Sequence, residues 1–145
     1  MMRLLVAAAL ALTASAALAE TRDEEHRVGD VMVRIAVVDT LEIMTVGASE
    51  SAQTQVLSGA DIEIVAFAAD ADSVALLGEP VVVVEVTGTH SCEDGDARGY
   101  LVVTLGDAPK SEGPVTTCAA LTASVTPGAV VLEADPASGI GEFWA

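Results

Sequence analysis

The segment that most constrains the fold of this chain is residues 81–86, which read Val-Val-Val-Val-Glu-Val. The run follows Pro80 and is apolar at both alternate positions, which is typical of a strand covered on both faces. Valine is also among the residues that favour strands. We therefore expect a central strand with a further layer of structure on each side of it.

Other segments show the alternation that is typical of strands with one buried face. Residues 31–38 place an apolar residue at every second position. The pair Asp39-Thr40 predicts a turn, after which residues 41–47 form a second strand. Further strands are expected over residues 62–68, 100–105, 115–125 and 129–133.

Several segments lack any hydrophobic period and are predicted to be loops or turns: residues 48–55, 89–99 and 106–113. Pro127 and Gly128 fit the two central positions of a type II turn, which closes a last hairpin. Residues 70–78 allow two interpretations. They form either a short helix that ends at Gly78 or a brief strand over residues 73–77, and we favour the strand.

These segments together predict an all-β fold. About seven to eight short strands, with turn signals every eight to twelve residues, indicate a small antiparallel β-sandwich or barrel. Residues 31–145 are expected to form this single β domain. Residues 20–30 are almost wholly charged and are interpreted as a flexible acidic leader.

Residues 1–19 have the features of a cleaved signal peptide. Arg3 supplies a basic start, residues 4–12 are apolar, and Ala17-Leu18-Ala19 fits the small-x-small cleavage pattern. No cysteine follows the cleavage site, and no later apolar run is long enough for a membrane anchor. The sequence thus predicts an exported protein, periplasmic or secreted.

The charge of the chain limits its partners. Asp and Glu number 22 against 6 Lys and Arg, which gives a net charge of −16 at pH 7. Such a charge repels nucleic acids and anionic lipid head groups, so we expect neither as a partner. Cationic partners and divalent ions stay open, and spread-out acidity that only keeps the protein soluble is the alternative.

The two cysteines, Cys92 and Cys118, both follow the predicted cleavage site. Thiols are oxidised outside the cytoplasm, and an even count predicts a disulfide between them. Closing a loop of this length stabilises the folded state by about 3.5 kcal/mol in the chain-entropy account. A Cys-x-x-Cys redox motif is absent, so the interpretation is structural.

Few residues suggest chemistry. Glu93, Asp94 and Asp96 surround a glycine and form an oxygen-rich loop that a hard cation would favour, although a solvated turn is the simpler interpretation. His90 is adjacent to Ser91, but neighbours in an extended chain point to opposite faces. No phosphate-binding loop or dinucleotide fingerprint occurs. We assign no catalytic, metal-binding or cofactor-binding residue and expect no cofactor.

Three functional hypotheses follow. The first is a non-enzymatic exported β domain that binds a protein or an envelope component through loops or an exposed sheet edge. The second is a small hydrolase or metal-dependent enzyme that uses Asp and Glu side chains with His90. The third is a purely structural hypothesis, a stress or envelope accessory protein without a specific small ligand. Phe143 and Trp144 are expected to be buried, and if exposed they would form a contact patch.

Overall fold

A computed structural model describes residues 22–70, 74, 77–93 and 95–134 of the chain. This part is all-β, as the sequence predicts, and contains nine strands. The strands are β1 Asp23–Val28, β2 Val31–Val38, β3 Leu41–Gly47, β4 Gln53–Ala68, β5 Val81–Cys92, β6 Gly95–Thr104, β7 Lys110–Thr117, β8 Leu121–Thr126 and β9 Ala129–Ala134.

The first seven strands form one antiparallel sheet in sequence order, and β8 and β9 form a separate hairpin. The first half of β4 pairs with β3 and the second half with β5. We call β1 to β3 with the first half of β4 layer A, and the second half of β4 with β5 to β7 layer B. The two layers share an apolar core, which is the arrangement of a sandwich. The strands described do not close into a barrel.

Strand β4 bends where it passes from layer A to layer B. Its register against β5 shifts on either side of Asp61 and again between Ile64 and Ala66. Asp61 has a positive φ of 48°, and its carboxylate accepts a hydrogen bond of 3.0 Å from the Thr87 hydroxyl. Each extra residue in one strand of a pair bends that strand and increases its twist. These irregularities explain how one strand serves both layers.

Strand β5 is covered on both faces. Val82, Val84 and Val86 belong to the core between layers A and B. Val83 belongs to a second cluster, between the outer face of layer B and the β8–β9 hairpin. All six residues from 81 to 86 are buried, which confirms the central strand that the sequence predicts. The molecule thus has the hairpin, layer B and layer A stacked in that order.

Two of the turns that the sequence predicts, at residues 39–40 and 127–128, are present. Asp39, in the two-residue turn between β2 and β3, has a φ of 59°. Gly128, in the turn between β8 and β9, has a φ of 84°, the sign that a type II turn requires at its second central position. Gly47 ends β3 where a Cβ would collide with the Ala52 carbonyl oxygen, so only glycine fits there.

Several sequence-based boundaries are wrong. The fold does not begin near Val31, because Asp23–Val28 of the predicted leader pairs with β2 along its whole length. The predicted loop over residues 89–99 is mostly an extension of β5 and β6, with only residues 93 and 94 between them. The side chains of β1 are exposed up to Arg27, and within residues 95–99 the buried positions hold only the small residues Ala97 and Gly99, so no apolar alternation marks either segment.

Four further segments also differ from the prediction. Strand β4 begins at Gln53, within the predicted loop over residues 48–55, and β7 begins at Lys110, within the predicted loop over residues 106–113. The predicted strand over residues 115–125 is divided, because β7 ends at Thr117 and β8 begins at Leu121. Near residue 74 the backbone forms a helical turn, with Gly78 N–H donating to the Val74 carbonyl at 2.7 Å, so the strand that we favoured there is wrong.

The predicted signal peptide at residues 1–19 and the aromatic pair Phe143 and Trp144 lie outside the described residues. Within the part of the chain that is described, no helix has the length and apolar character needed to cross a membrane.

Candidate functional site

The most exposed apolar feature of the described residues lies along β4. On the side facing away from β5, residues 60–68 have no strand partner among those described, because pairing with β3 ends at Gly59. We call this side of residues 60–68 the free edge. A free edge presents unpaired backbone N–H and C=O groups, and natural proteins usually protect it with charge, proline or a cover. Within the free edge, residues 64–68 contain neither a charged residue nor a proline.

Beside the free edge lies a groove that we call the seam. It has a volume of about 470 Å³. Its described lining comes from two strands, β1 and the second half of β4, and consists of His26, Arg27, Val28, Ile64, Val65, Ala66 and Phe67. The seam is therefore the gap between the last strand of layer A and the last strand of layer B.

Phe67 is the largest apolar side chain in the seam. It pairs with Val82 across the ladder, and directly opposed residues share a face of the sheet. Val82 is fully buried in the core between the layers. Phe67 nevertheless remains 61% exposed. It occupies a core-facing position at the edge of layer B that no described element covers.

A polar contact joins the two layers near the bend of β4. Arg22 Nη1 donates to both carboxylate oxygens of Glu42, at 2.9 and 3.0 Å. The Ile62 N–H donates to Glu42 Oε2 at 2.5 Å. Hydrogen bonds to Glu24 and then to Glu42 raise the pKa of Arg22, although partial burial opposes the shift. Glu42 thereby satisfies a backbone amide at the bend of β4 and ties the two layers together.

The other wall of the seam, β1, is protected by charge. Asp23–Val28 exposes every residue except Val28. Asp23 accepts hydrogen bonds of 2.7 and 2.6 Å from Arg34 on the neighbouring strand, and this contact lowers the pKa of the Asp23 carboxyl. Strand β1 thus has the charged composition typical of an edge that resists pairing, and the edge of β4 beside Phe67 does not.

A buried polar network holds the hairpin against layer B. Arg98 donates to Glu85 Oε1 at 2.5 Å, and the Tyr100 hydroxyl donates to Glu85 Oε2 at 2.6 Å. The same hydroxyl accepts the Leu121 N–H at 2.8 Å, at the start of β8. Burial, followed by the hydrogen bond to Glu85, raises the pKa of Tyr100, so the phenol stays protonated. Each of these groups has a partner, and the network is structural.

The disulfide joins Cys92 to Cys118, with the Cα atoms 5.8 Å apart. It connects the end of β5 to the segment between β7 and β8, so the covalent link and the Tyr100 contact both hold the hairpin. The predicted bond is therefore present, and it indicates an oxidising environment outside the cytoplasm.

The residues that the sequence singled out as chemical candidates lie beside this disulfide. Glu93 and Asp96 line a depression of about 420 Å³ together with Arg98 and the two cysteines. Asp94 and the side chain of His90 lie outside the described part. Among the described residues, no group of three His, Cys, Asp or Glu side chains is arranged to hold a metal ion.

Sequence reasoning identified neither Glu85 nor Phe67 as special. Glu85 is the one acid in a valine-rich strand, and that interruption was the available signal of a buried polar contact. By strict alternation Phe67 shares a face with Glu63 and Val65, and the register shift between Ile64 and Ala66 turns it to the core face instead. Its exposure depends on where layer A ends, which the local sequence does not encode.

Comparison of the chain with protein-family models, with curated proteins and with solved structures finds no match.

Proposed function

We propose that this chain is an exported, non-enzymatic β domain, periplasmic or secreted, that binds a protein or an envelope component. The binding element is the free edge of β4, to which the partner adds an extended segment. The observation that carries this proposal is Phe67, an aromatic side chain at a core-facing position that is 61% exposed.

The physical basis is strand addition. An extended segment gains backbone hydrogen bonds from a free edge, and its alternate side chains enter pockets along that edge. Here Phe67 and the half-buried Ile64 and Val65 supply the apolar contact within the seam. An exposed aromatic residue in such a position is typical of the residues that dominate binding energy in interfaces.

Competing modes of association are disfavoured by charge. A second copy of the chain would bring two domains of net charge −16 together, with Glu63 exposed on the free edge of each. Like charges oppose that contact. A heterologous partner avoids this repulsion.

Site-specific photocrosslinking in cells that express the full chain tests the proposal. A photoreactive residue replaces Glu63 on the free edge, and in a matched variant it replaces Leu41, which is 50% exposed at the β2–β3 turn. We expect a discrete crosslinked product from position 63 that is absent from position 41. Adding Phe67→Ser should reduce the yield at position 63 at least fivefold.

Two results would contradict this function. One is an equal pattern of products from positions 63 and 41, which would indicate nonspecific proximity. The other is a product at position 63 that is insensitive to Phe67→Ser while the variant protein retains its fold by circular dichroism.

A further inference from the structure

Another concave site lies at the end of the sandwich opposite the disulfide. It has a volume of about 590 Å³, within the range typical of small-molecule sites. Val31 and Val46 line it from layer A, and Pro80 and Leu105 line it from layer B. Val46 and Leu105 also belong to the core between the layers, so the floor of this cavity is the apolar core itself.

The charged groups around this cavity are acidic. Asp30 and Asp107 both line it, and both are exposed. The Glu79 carboxylate lies against Gly106, another lining residue, in space that a Cβ would occupy. No lysine, arginine or histidine occurs in the described lining, and nearby Lys110 pairs with Glu112 at 2.8 Å. The cavity therefore combines an apolar floor with a negative rim.

We infer that this end cavity binds a small cationic amphiphile, an ammonium group that carries an apolar chain. The ammonium group lies at the rim, between the carboxylates of Asp30 and Asp107. The chain lies against Val46 and Leu105. An anionic amphiphile of the same length is repelled by the rim, and a short cation gains too little apolar contact to bind well.

The site is independent of the free edge. Its described lining shares no residue with the seam, and β-strand addition at β4 does not require it. A ligand at the end cavity and a polypeptide at the free edge can therefore be tested separately, and failure of one leaves the other unaffected.

The test uses octylammonium chloride below its micellar concentration, with butylammonium and octanoate as matched probes. Methyl NMR spectra of the purified protein report binding through the Val46 and Leu105 signals. We expect octylammonium to shift these signals and to bind more tightly than butylammonium by about threefold for each added methylene. Octanoate should leave the signals unchanged.

The second part of the test removes negative charge from the rim of the cavity. The double variant Asp30→Asn, Asp107→Asn should weaken octylammonium binding about fivefold to tenfold, since exposed ion pairs contribute modestly. The control variant Asp39→Asn, Glu133→Gln removes two exposed acids outside the cavity and should change binding less than twofold. Equal binding of octanoate, equal weakening by the control, absent shifts at Val46 and Leu105, or shifts at Ile64 of the seam instead would overturn the inference.

Discussion

The outer face of layer B and its free edge, which we call its two flanks, differ in how completely they are covered. Its outer face is covered by the β8–β9 hairpin, which Cys118 and the Tyr100 hydroxyl both hold in place. Its free edge, by contrast, leaves Phe67 exposed and has no strand partner among the described residues. On the first flank every buried polar group of the network has a hydrogen-bond partner. On the second flank an apolar side chain is exposed and the backbone has no strand partner among the described residues.

The difference shows that buried polar contacts specify which element covers a surface, whereas apolar contacts alone allow different partners to cover it. A carboxylate such as Glu85 is tolerated in the interior only with hydrogen-bonding partners in defined places, so it specifies one position for the hairpin. The seam contains no comparable buried polar group in its described lining. The first flank therefore stabilises the fold, and the second is suited to a partner.

The largest expected effect is loss of the disulfide. The double variant Cys92→Ser, Cys118→Ser should lower the free energy of unfolding by about 3.5 kcal/mol, because the unfolded chain regains the entropy of a loop of 26 residues. Urea unfolding with and without reductant measures it. Reductant should weaken the parent protein by a similar amount and leave the variant unchanged. A loss below about 1 kcal/mol would show that the hairpin does not depend on this link.

The next largest effect concerns the Tyr100 hydroxyl. Tyr100→Phe leaves the Glu85 carboxylate and the Leu121 amide each without one partner, and we expect a loss of about 2 to 3 kcal/mol in unfolding free energy. The same substitution in a Glu85→Leu background should cost less, because the carboxylate is already absent. Equal losses in both backgrounds would mean that the hydroxyl and the carboxylate are not coupled.

A third prediction compares the stability cost of a substitution in the core with that of one in the seam, at Val82 and Phe67, which are paired across the ladder. Val82→Ala should lower the unfolding free energy by about 2 kcal/mol, since it leaves a cavity in a fully buried site. Phe67→Ser, on the same face, should cost less than about 1 kcal/mol although the side chain removed is larger, because most of Phe67 is already in solvent. If Phe67→Ser proves the more damaging, the seam is part of the closed core.

The smallest effect concerns the charges that protect β1. The contact with Arg34 lowers the pKa of Asp23 below its ordinary 3.8, and the contact with Arg22 lowers that of Glu24 below 4.5. A carboxyl whose pKa is lower in the folded state stabilises the fold above its unfolded pKa, and the contribution is lost as the pH falls through the folded pKa. Arg34→Met should therefore weaken the protein slightly at pH 7, and the difference should shrink as the pH falls below 3.8. A difference that persists unchanged at low pH would assign the role of Arg34 to packing.

Local sequence predicted the strands whose side chains alternate between core and solvent. Residues 31–38 and the valine run at 81–86 were correct because burial imposes their pattern. Strand β1 was missed because its backbone pairs while solvent surrounds most of its side chains. The start of β6 was missed because the residues buried there, Ala97 and Gly99, are too small to mark an apolar face. The bond between Cys92 and Cys118 was predictable from their number and the expected compartment.

The candidate site could not be predicted in the same way. Whether Phe67 is covered depends on the bend of β4 and on where β1 ends, and both are properties of the assembled layers. The position of Glu85 against Tyr100 likewise depends on the register of β5 with β6, in which these two residues face each other directly.

Amide hydrogen exchange of the isolated protein tests the central claim most directly, because it reports which backbone groups have partners. With β5 paired on both sides and β4 on one, we predict continuous slow exchange along residues 81–86. Because the Ile62 amide is already bonded to Glu42, slow and fast amides should alternate along residues 63–68, except at the register shift between Ile64 and Ala66. Continuous slow exchange along residues 63–68 would show that the edge of β4 is already paired, and would contradict the account.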